Sequence, residues 1–505
     1  MAGSGGAAAY RDLRRLVRGV LLRPGDDGYD AARRVWNRAI DRRPMMIVRC
    51  AGGDDVAAAV RYAVRNGIEL SIRSTGHNVT GCAISHGGLT LDLSGLRGVR
   101  IEPARRTASV QPGVLWGDFD RRAQAEGLAT TGGRISTTGV AGLTLGGGFG
   151  WLMRRYGLAA DNLRAVELVT ADGRTSHVDS IADAELFWAL RGGGGNFGVA
   201  TSLEFRLHPV GPAVTGGAAF YPAAAAGRVL RWYRDFIRDA PDVLSAQCNL
   251  LRLPPAPFVP AELHGRPAVA VAVCHLGGEA EAQEDLAVLA DLGPPLLRRI
   301  DRMRYTSLQR LYDMAGRFGS FVYGRAGYLP ALDDRAIAVL ESGAEAVPSP
   351  HCIVMMSPLG GAVARVGAGE TAVGHRDAAF SVSVDAVWQH PADARAHRDW
   401  VHRVWAGLGP STAGVYVNEL GDEGPERVRS AYHPASWSRL RAVKARYDPD
   451  NIFRLNQNIP PAGARTTASG EKPAGVGTTA SGEKPSRAGA EKAGVTSAHD
   501  LGERP

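Results

Sequence analysis

In the first 210 positions, apolar residues recur at every second position in some short segments, as in strands, and at every third or fourth position in longer ones, as in helices. The segment DDVAAAVRYAVRN at 54–66 has helical spacing, an acidic start and Gly67 just after its end. Apolar runs predict strands for IELSIRS at 68–74, LTLDLS at 89–94 and ASVQPG at 108–113. This mixture of short strands and helices predicts an α+β domain that ends near residue 210.

Residues 211–430 contain longer strand patterns. PAVAVAVCHL at 267–276 and FSVSVDAVW at 380–388 are predicted strands, and AGRVLRWYRDFIRDA at 226–240 is a predicted helix. We therefore expect a second α+β domain in this part of the chain.

The character of the sequence changes after residue 461. The octapeptide TTASGEKP occurs at 466–473 and again at 478–485, and aromatic and aliphatic clusters are absent. Such a segment cannot bury enough apolar surface to offset the entropy of ordering it. Residues 462–505 are therefore predicted to be a disordered tail.

Glycine is the unusual feature of the composition, with 64 of 505 residues. Much of the excess lies in three segments, 73–81, 130–152 and 191–198. Backbone without side chains can approach a ligand closely and direct N–H groups at phosphate oxygens. A large, flat, phosphate-bearing cofactor would explain all three segments, and a set of tight turns is the alternative.

Charge and cysteine usage exclude several classes of function. The net charge is +8, but nearly all of the 59 basic residues are arginine, and no basic run alternates with aromatic residues as in a nucleic-acid binder. The five cysteines are scattered, odd in number and without C-x-x-C spacing, which argues against disulfides and a metal site. No 18-residue apolar run exists, so we expect a cytoplasmic protein without a membrane span.

One motif imitates a dinucleotide fingerprint. Residues 193–198 fit G-x-G-x-x-G, but the preceding ELFWALR has a helical pattern and the following VATSLEFRL a strand pattern. The fingerprint requires the reverse order, so a Rossmann domain is not expected. The P-loop, G-x-S-x-G and H-E-x-x-H motifs are also missing from the sequence.

Five collinear segments resemble the FAD-linked oxidases of the berberine bridge enzyme family. This family shares its flavoprotein fold with vanillyl-alcohol oxidase and para-cresol methylhydroxylase. The resemblance covers about residues 40–460. The matching segments are IRSTGHNVTG, TTGGRISTTGVAGLTLGGGFGWLMRRYGLAADNL, LFWALRGGGGNFGVAT, YVNELGDEG and KARYDPDNIFRLNQNIPP.

The resemblance implies an α+β fold with a discontinuous FAD-binding domain. Residues 1–210 would form its N-terminal part, and residues 431–461 would return to it. Residues 211–430 would form a substrate-binding domain with an antiparallel sheet covered by helices. Tyr323, Tyr328, Met355 and Met356 are candidates for the substrate-facing wall of that sheet.

By the same resemblance, His77 binds FAD covalently through the C8-methyl group of the isoalloxazine ring. A neutral imidazole can attack that position once the methyl group has lost a proton. The small neighbours Gly76 and Gly81 leave room for the ring edge. A structural, hydrogen-bonded histidine is the alternative.

The remaining cofactor contacts are carried over position by position. They fall in the loop after the predicted strand at 68–74, in the long glycine-rich segment, in the segment that follows it, at the adenine end and near the C-terminus. They are Arg73, Ser74, Thr75, Gly76, Asn78, Gly81, Gly133, Thr137, Gly139, Gly142, Gly146, Gly147, Gly148, Tyr156, Gly157, Asp161, Asn162, Val199, Asn456, Gln457 and Asn458.

Two departures from the family pattern change the expected chemistry. Many relatives attach the flavin a second time through a cysteine, but this chain has Ile135 at that position, so we expect a single tether. Sugar oxidases of the family have a tyrosine where this chain has Phe149. A simple sugar oxidase is therefore not the expected activity.

The catalytic base is left open between two residues. Sugar oxidases of the family use a tyrosine as base at the position that matches Glu419, three residues after Tyr416. Glu419 could serve if burial raises its pKa, and Tyr416 could serve if a cation lowers its own. On a regular strand the two would face opposite sides. A solvated loop carboxylate is the alternative for Glu419.

The sequence thus predicts an FAD-dependent oxidation of an alcohol or activated C–H in a small molecule of secondary-metabolite type. Hydride would pass to flavin N5, and O2 would reoxidise the flavin to give H2O2. An oxidative cyclase or oxygenating enzyme acting on a polyketide-like substrate is one alternative, and a flavin-holding protein without turnover is another. The sequence leaves the substrate and the oligomeric state open.

Overall fold

The N-terminal part of the chain forms a four-stranded sheet in the computed structural model, which describes residues 3–314 and 316–464. Its order is β1-β2-β4-β3, with β1 antiparallel to β2 and the other pairs parallel. The predicted helix at 54–66 and the strands at 68–74 and 89–94 are confirmed to within a few residues. The elements are α1 (Gly3–Leu16), β1 (Val20–Leu22), α2 (Tyr29–Ala32), β2 (Met46–Arg49), α3 (Gly53–Arg65), β3 (Leu70–Arg73) and β4 (Leu89–Asp92).

A five-stranded antiparallel sheet follows, in the order β5-β6-β10-β8-β9. The G-x-G-x-x-G run lies after a helix and before a strand, as expected for a chain without a Rossmann domain. The elements are β5 (Val99–Glu102), β6 (Thr107–Val110), α4 (Trp116–Gln124), β7 (Leu128–Ala129), α5 (Val140–Leu145), α6 (Met153–Tyr156), β8 (Leu163–Val169), β9 (Thr175–Asp179), α7 (Ala184–Leu190), β10 (Val199–Arg206) and β11 (His208–Pro209).

The third large element is a seven-stranded antiparallel sheet in the order β15-β12-β14-β13-β17-β18-β16. The elements are β12 (Ala213–Pro222), α8 (Ala226–Asp239), β13 (Leu244–Arg252), β14 (Pro267–His275), α9 (Glu279–Leu286), β15 (Leu297–Arg304), α10 (Tyr305–Leu308), β16 (Phe321–Leu329), α11 (Asp334–Ala344), β17 (Ile353–Pro358), α12 (Gly361–Arg365), β18 (Phe380–Trp388) and α13 (Ala394–Leu408).

One face of this sheet carries the largest hydrophobic core. Helices α8, α11 and α13 pack there, and their buried apolar side chains meet those of the strands. The helix-covered antiparallel sheet expected from the family resemblance is thus confirmed. Because side chains alternate along a strand, the other residues of each strand face the N-terminal half of the chain.

The C-terminal helices are α14 (Pro425–Arg429) and α15 (Pro434–Tyr447), and a buried ion pair anchors the second of them. Lys444 and Asp448 are both fully buried, with Nζ 2.6 Å from Oδ2. The Lys444 ammonium also donates to the carbonyls of Asn196, at 2.7 Å, and Phe453, at 3.0 Å. The pair therefore holds the C-terminal segment against the glycine-rich loop at 193–196.

The described residues up to Gly463 form one compact unit, so the boundaries near residues 210 and 430 stay predictions. Of the predicted tail, residues 465–505 lie outside the described residues. Within the described ranges, no helix is both long enough and apolar enough to cross a membrane.

We expect Lys444→Met to lower the free energy of unfolding by about 3 kcal/mol, because it leaves the buried Asp448 carboxylate without its cation. Urea denaturation followed by fluorescence measures the loss. Arg446→Met, an exposed change on the same helix, is the control and should cost less than about 0.5 kcal/mol. Equal stability of the two variants would contradict the stabilising role of the Lys444–Asp448 ion pair.

Candidate active site

Ten of the predicted catalytic and cofactor-binding residues line one cavity of about 370 Å³. The loop after β3, the segment from Gly133 to Phe149, the inner face of the seven-stranded sheet and the turn near residue 419 form its wall. The ten residues are Ser74, Thr75, Gly76, His77, Asn78, Gly133, Gly139, Gly142, Tyr416 and Glu419.

The loop after β3 supplies a row of unpaired backbone donors. Arg73 ends the strand and is fixed by Asp92, with Nη1 2.8 Å from Oδ1. Gly76 has a φ of +78°, which turns the chain sharply. Among the described residues, no N–H group of 74–79 donates to a protein acceptor. A run of free backbone N–H groups beside a cavity suits an anion such as a pyrophosphate.

The glycine at position 142 marks space that a side chain would fill. Gly142 lines the cavity, and a Cβ atom built there meets no protein atom within 4 Å. A Cβ on Gly139, in contrast, would lie 2.4 Å from the hydroxyl oxygen of Thr75, so this glycine lets two segments of the wall pack together. The free N–H groups of 74–79 and the open space beside Gly142 together fit a flat, phosphate-bearing cofactor such as FAD.

His77 lies between two aromatic rings. Its imidazole stacks on Trp36 at a centroid distance of 4.8 Å and meets Phe318 edge-on at 5.6 Å. Its Nε2 is 3.3 Å from the hydroxyl oxygen of Thr137, another predicted contact residue. Burial lowers the pKa of His77 to about 4. The imidazole is therefore neutral near pH 7 and keeps a nucleophilic lone pair.

Tyr416 and Glu419 both reach the cavity, and the expectation that they would face opposite sides is wrong. The segment Val417–Glu419 is a short 3₁₀ turn rather than a strand, so residues three apart lie on the same side. The turn packs on Gly146, where a Cβ would lie only 2.1 Å from the side-chain oxygen of Asn418. Gly146, Gly147 and Gly148 thus support the turn and are not among the residues that line the cavity.

The phenol of Tyr416 is held as a neutral group. Its oxygen accepts hydrogen bonds from the Gly148 N–H and from the Asn418 side-chain amide, both at 2.7 Å. Its ring stacks on Phe149 at 3.9 Å between centroids. Burial raises the pKa of Tyr416 above its ordinary value in spite of the two hydrogen bonds. The hydroxyl therefore keeps its proton and can donate it in a hydrogen bond.

Glu419 is partly buried, with 25% of its side chain exposed, and it is held by two neighbours. Its Oε2 accepts a hydrogen bond from Ser381 Oγ at 3.3 Å, and its Oε1 is 3.8 Å from Nη2 of Arg134. Burial raises the pKa of Glu419 to about 7, with Arg134 opposing the shift and Asp385 adding to it. A carboxyl group with this pKa can take up and release a proton near neutral pH.

Two charged residues of the wall, Arg134 and Asp385, were not among the predicted site residues. Asp385 follows Ser381 and Ser383 at alternate positions of β18, between apolar residues that face the helices. That alternation was the available signal, because polar residues on one side of an apolar strand indicate a face that meets something other than the core. Burial raises the pKa of Asp385 to about 6.

The segment from Tyr156 to Asn162 lies outside the cavity wall and is held by its own contacts. The ring of Tyr156 stacks on His208 at 4.0 Å, and Asn162 donates to the Tyr156 carbonyl at 2.9 Å. Asp161 forms a buried ion pair with Arg376, with Oδ1 2.6 Å from Nη2. A Cβ on Gly157 would meet the Asp161 carboxylate at 2.8 Å.

The other predicted contacts also lie outside the wall. Val199 is buried in the core of the first sheet, and a Cβ on Gly81 would lie 2.5 Å from Ile40. Gln457 donates to the carbonyl of Leu420, the residue after Glu419, at 2.7 Å. Asn456 and Asn458 each have a buried side-chain oxygen without a hydrogen-bond partner among the described residues.

Strand alternation divides the four candidates for the substrate wall. Met355 lines the cavity. Tyr328 is buried outside the cavity wall and packs against the wall residue Phe149, at 6.4 Å between ring centroids. Met356 lies in the core beneath the helices, and Tyr323 packs against that same core. The expectation that Tyr323 and Met356 face the substrate is therefore wrong.

The cavity wall contains no cysteine thiol for a second flavin bond among the described residues. Ile135, the position at which the family resemblance implies a cysteine in many relatives, lines the cavity. All five cysteines fall within the described residues, and none of them lines the cavity.

Sequence profiles and related proteins of known sequence both identify this chain as similar to FAD-linked oxidoreductases. The sequence profile described as FAD binding domain matches residues 44–179, and the profile described as berberine and berberine like matches residues 415–460. The chain is 33% identical to (R)-6-hydroxynicotine oxidase of Paenarthrobacter nicotinovorans, over 89% of this chain and 98% of that protein. It is 30% identical to an uncharacterized FAD-linked oxidoreductase of Bacillus subtilis, over 88% of this chain and 98% of the relative.

A solved structure shows the same architecture. The crystal structure of 6-hydroxy-D-nicotine oxidase from Arthrobacter nicotinovorans matches with a TM-score of 0.78 and 31% sequence identity. The match covers 88% of this chain and 98% of the other.

The raised pKa of Glu419 predicts how the free energy of unfolding depends on pH. The folded protein holds the Glu419 proton more tightly than the unfolded chain, whose glutamate has its ordinary pKa of 4.5. Stability therefore falls as the pH rises from about 4.5, where the unfolded glutamate ionises, to about 7, where the folded one does. We expect Glu419→Gln to be more stable than the parent at pH 9, on the order of 2 kcal/mol, and no more stable at pH 4, where both states of the parent hold the proton.

Urea unfolding at the two pH values measures this difference. Asp422→Asn, at an exposed carboxylate in the same segment, is the control and should change stability little at either pH. A Glu419→Gln variant that is less stable than the parent at pH 9 would contradict the assignment of a costly buried charge.

Proposed function

Because the chain belongs to the berberine and berberine-like family of FAD-linked oxidoreductases, we propose that it oxidises an alcohol or an activated C–H group of a small, secondary-metabolite-type molecule. Bound FAD would supply the hydride acceptor and, through its reoxidation by O2, the release of H2O2. The chain's own residues would bind and orient the substrate, exclude water and move one proton.

The observation that carries the proposal is the placement of three features around one cavity. Free backbone donors at 74–79, an unprotonated His77 and a carboxyl group at Glu419 with a pKa near 7 all border the same space. The first suits the cofactor's phosphates, the second a covalent bond to its ring and the third a proton transfer from the substrate.

We propose that His77 is the single point of covalent attachment. Trp36 and Phe318 fix the plane of the imidazole, and burial keeps it unprotonated, as nucleophilic attack requires. The lack of a cysteine in the wall supports one bond rather than two. A cytoplasmic location stays a prediction.

We propose that Glu419 is the proton acceptor and that Tyr416 is a hydrogen-bond donor. Ser381 holds one oxygen of the Glu419 carboxyl group, which leaves the other free to receive a proton. Tyr416 has its phenol oxygen occupied by two N–H donors, so its own proton is available to a substrate oxygen or nitrogen. The raised pKa of Tyr416 disfavours it as the base.

The role of Glu419 is tested by anaerobic reduction of the bound flavin with small alcohols and amines, followed by loss of its visible absorbance. The rate with the parent protein should rise with pH through about 7, because the ionised Glu419 is the active form. Glu419→Gln should keep its flavin but reduce it at least about 100-fold more slowly, without this pH dependence.

Asp422→Asn is the matched control for that experiment, since it removes an exposed carboxylate three residues away. It should reduce its flavin at the parent rate. A Glu419→Gln variant with the parent rate and pH profile would overturn Glu419 as the base. A parent protein that binds no FAD would overturn the proposed function as a whole.

The tether is tested by denaturation in acid. Parent protein should precipitate with its yellow colour, whereas His77→Ala should release its flavin into the supernatant, because only the covalent bond survives unfolding. His86→Ala is the control, since His86 is an exposed histidine nine residues away. Colour that washes off the parent precipitate would contradict the assignment of His77.

A further inference from the structure

The cavity wall contains more negative than positive charge. Its ionisable acids are Asp385 and Glu419, and its permanent cation is Arg134. Burial lowers the pKa of both wall histidines, His77 and His351, so they are uncharged at neutral pH. The wall tyrosines Tyr312 and Tyr416 have raised pKa values and are also neutral. When both acids are ionised, one carboxylate lacks a compensating cation.

Arg134 does not neutralise both acids. One guanidinium nitrogen donates to the hydroxyl of Ser357, and the other is 3.8 Å from Glu419, too far for a hydrogen bond. Among the described residues, no arginine, lysine or histidine forms an ion pair with Asp385. Arg325, on the neighbouring strand, pairs with Glu423 instead.

Asp385 is positioned with one oxygen free. It lies on β18, the second strand from one edge of the sheet, opposite Ile353 of β17 and Gly324 of the edge strand β16. Ser383 donates to its Oδ2 at 2.6 Å, which fixes the orientation of the carboxylate. A Cβ on Gly324 would lie 2.4 Å from Oδ1, so the glycine makes room for that oxygen. Within the described part of the chain, no protein group donates a hydrogen bond to Oδ1.

We propose that Asp385 binds a protonated amine and that the substrate of this enzyme is an amine whose nitrogen lies between Asp385 and Glu419. This inference rests on the proposed function and specifies its substrate class. An ammonium group balances the surplus charge of the wall and donates to both carboxylates, whereas a neutral alcohol leaves the surplus in place.

In the oxidation, the ammonium group would give one proton to Glu419 and become a neutral amine. Bound FAD would supply the acceptor for the hydrogen and electron pair of the C–H bond beside the nitrogen. The nitrogen lone pair would form the new C=N bond, so the product would be an iminium ion. Asp385 would retain its charge throughout and stabilise this cation.

Binding of benzylamine and benzyl alcohol tests the proposal, because the two probes have similar size and differ in charge at about pH 8. Binding is followed in the purified protein by perturbation of the flavin spectrum and, independently, by quenching of the protein's tryptophan fluorescence, to which Trp36 in the wall contributes. The parent should bind benzylamine at least about 10-fold more tightly than benzyl alcohol, the equivalent of about 1.4 kcal/mol.

Asp385→Asn should remove most of that preference and leave the affinity for benzyl alcohol within about twofold of the parent. Asp301→Asn, the same change at an exposed position of the same sheet, should retain the parent preference. Equal affinity of the parent for both probes, or equal weakening of both in Asp385→Asn, would overturn the proposal.

The fluorescence signal separates failure of this inference from failure of the proposed function. If the protein holds FAD but does not prefer benzylamine, the amine inference is overturned and the proposed oxidase function stands. If the protein prefers benzylamine by fluorescence but holds no FAD, Asp385 stands as the amine-binding residue and the proposed oxidation is overturned.

Discussion

The close packing of the 416–419 turn on the glycine segment 146–148 is the contact on which the candidate site depends. It brings the turn, from the C-terminal part of the chain, into the same cavity as the His77 loop. A single methyl group on Gly146 would overlap the side chain of Asn418, which in turn positions Tyr416. The contact is possible only because this segment consists of bare backbone.

The glycine excess therefore has two physical origins. At Gly142 the missing side chain leaves open space in the cavity, as expected for a cofactor wall. At Gly139 and Gly146 it permits one segment of protein to pack on another. The expectation that glycines bring the backbone close to a ligand is thus correct for part of the set, and tight packing of the protein on itself accounts for the rest.

Burial gives the cavity its chemical character. A charged group is costly in this environment, so the pKa of His77 falls while those of Asp385 and Glu419 rise. The same cause thus provides an unprotonated nucleophile on one side and proton-accepting acids on the other. Arg134 limits the shift of Glu419 but does not cancel it.

The sequence predicted the family, the mixed fold and the loop that carries His77, because these features are encoded in continuous segments. It did not predict that Tyr416 and Glu419 share a cavity, since a short 3₁₀ turn cannot be told from a strand by its composition. It also missed Asp385 and Arg134, because their proximity to Glu419 arises from packing between elements far apart in the chain. The alternation of polar residues along β18 was present in the sequence, but its meaning depended on which face of the sheet the helices cover.

We propose that the half-buried, neutral imidazole of His77 is the single group bonded to the flavin. Peptide mapping of the parent protein by mass spectrometry tests it most directly. We expect one flavin on each chain, carried by the peptide that contains His77, and no flavin on any peptide that contains a cysteine. A His77 peptide found entirely unmodified in protein that retains its flavin would contradict the account.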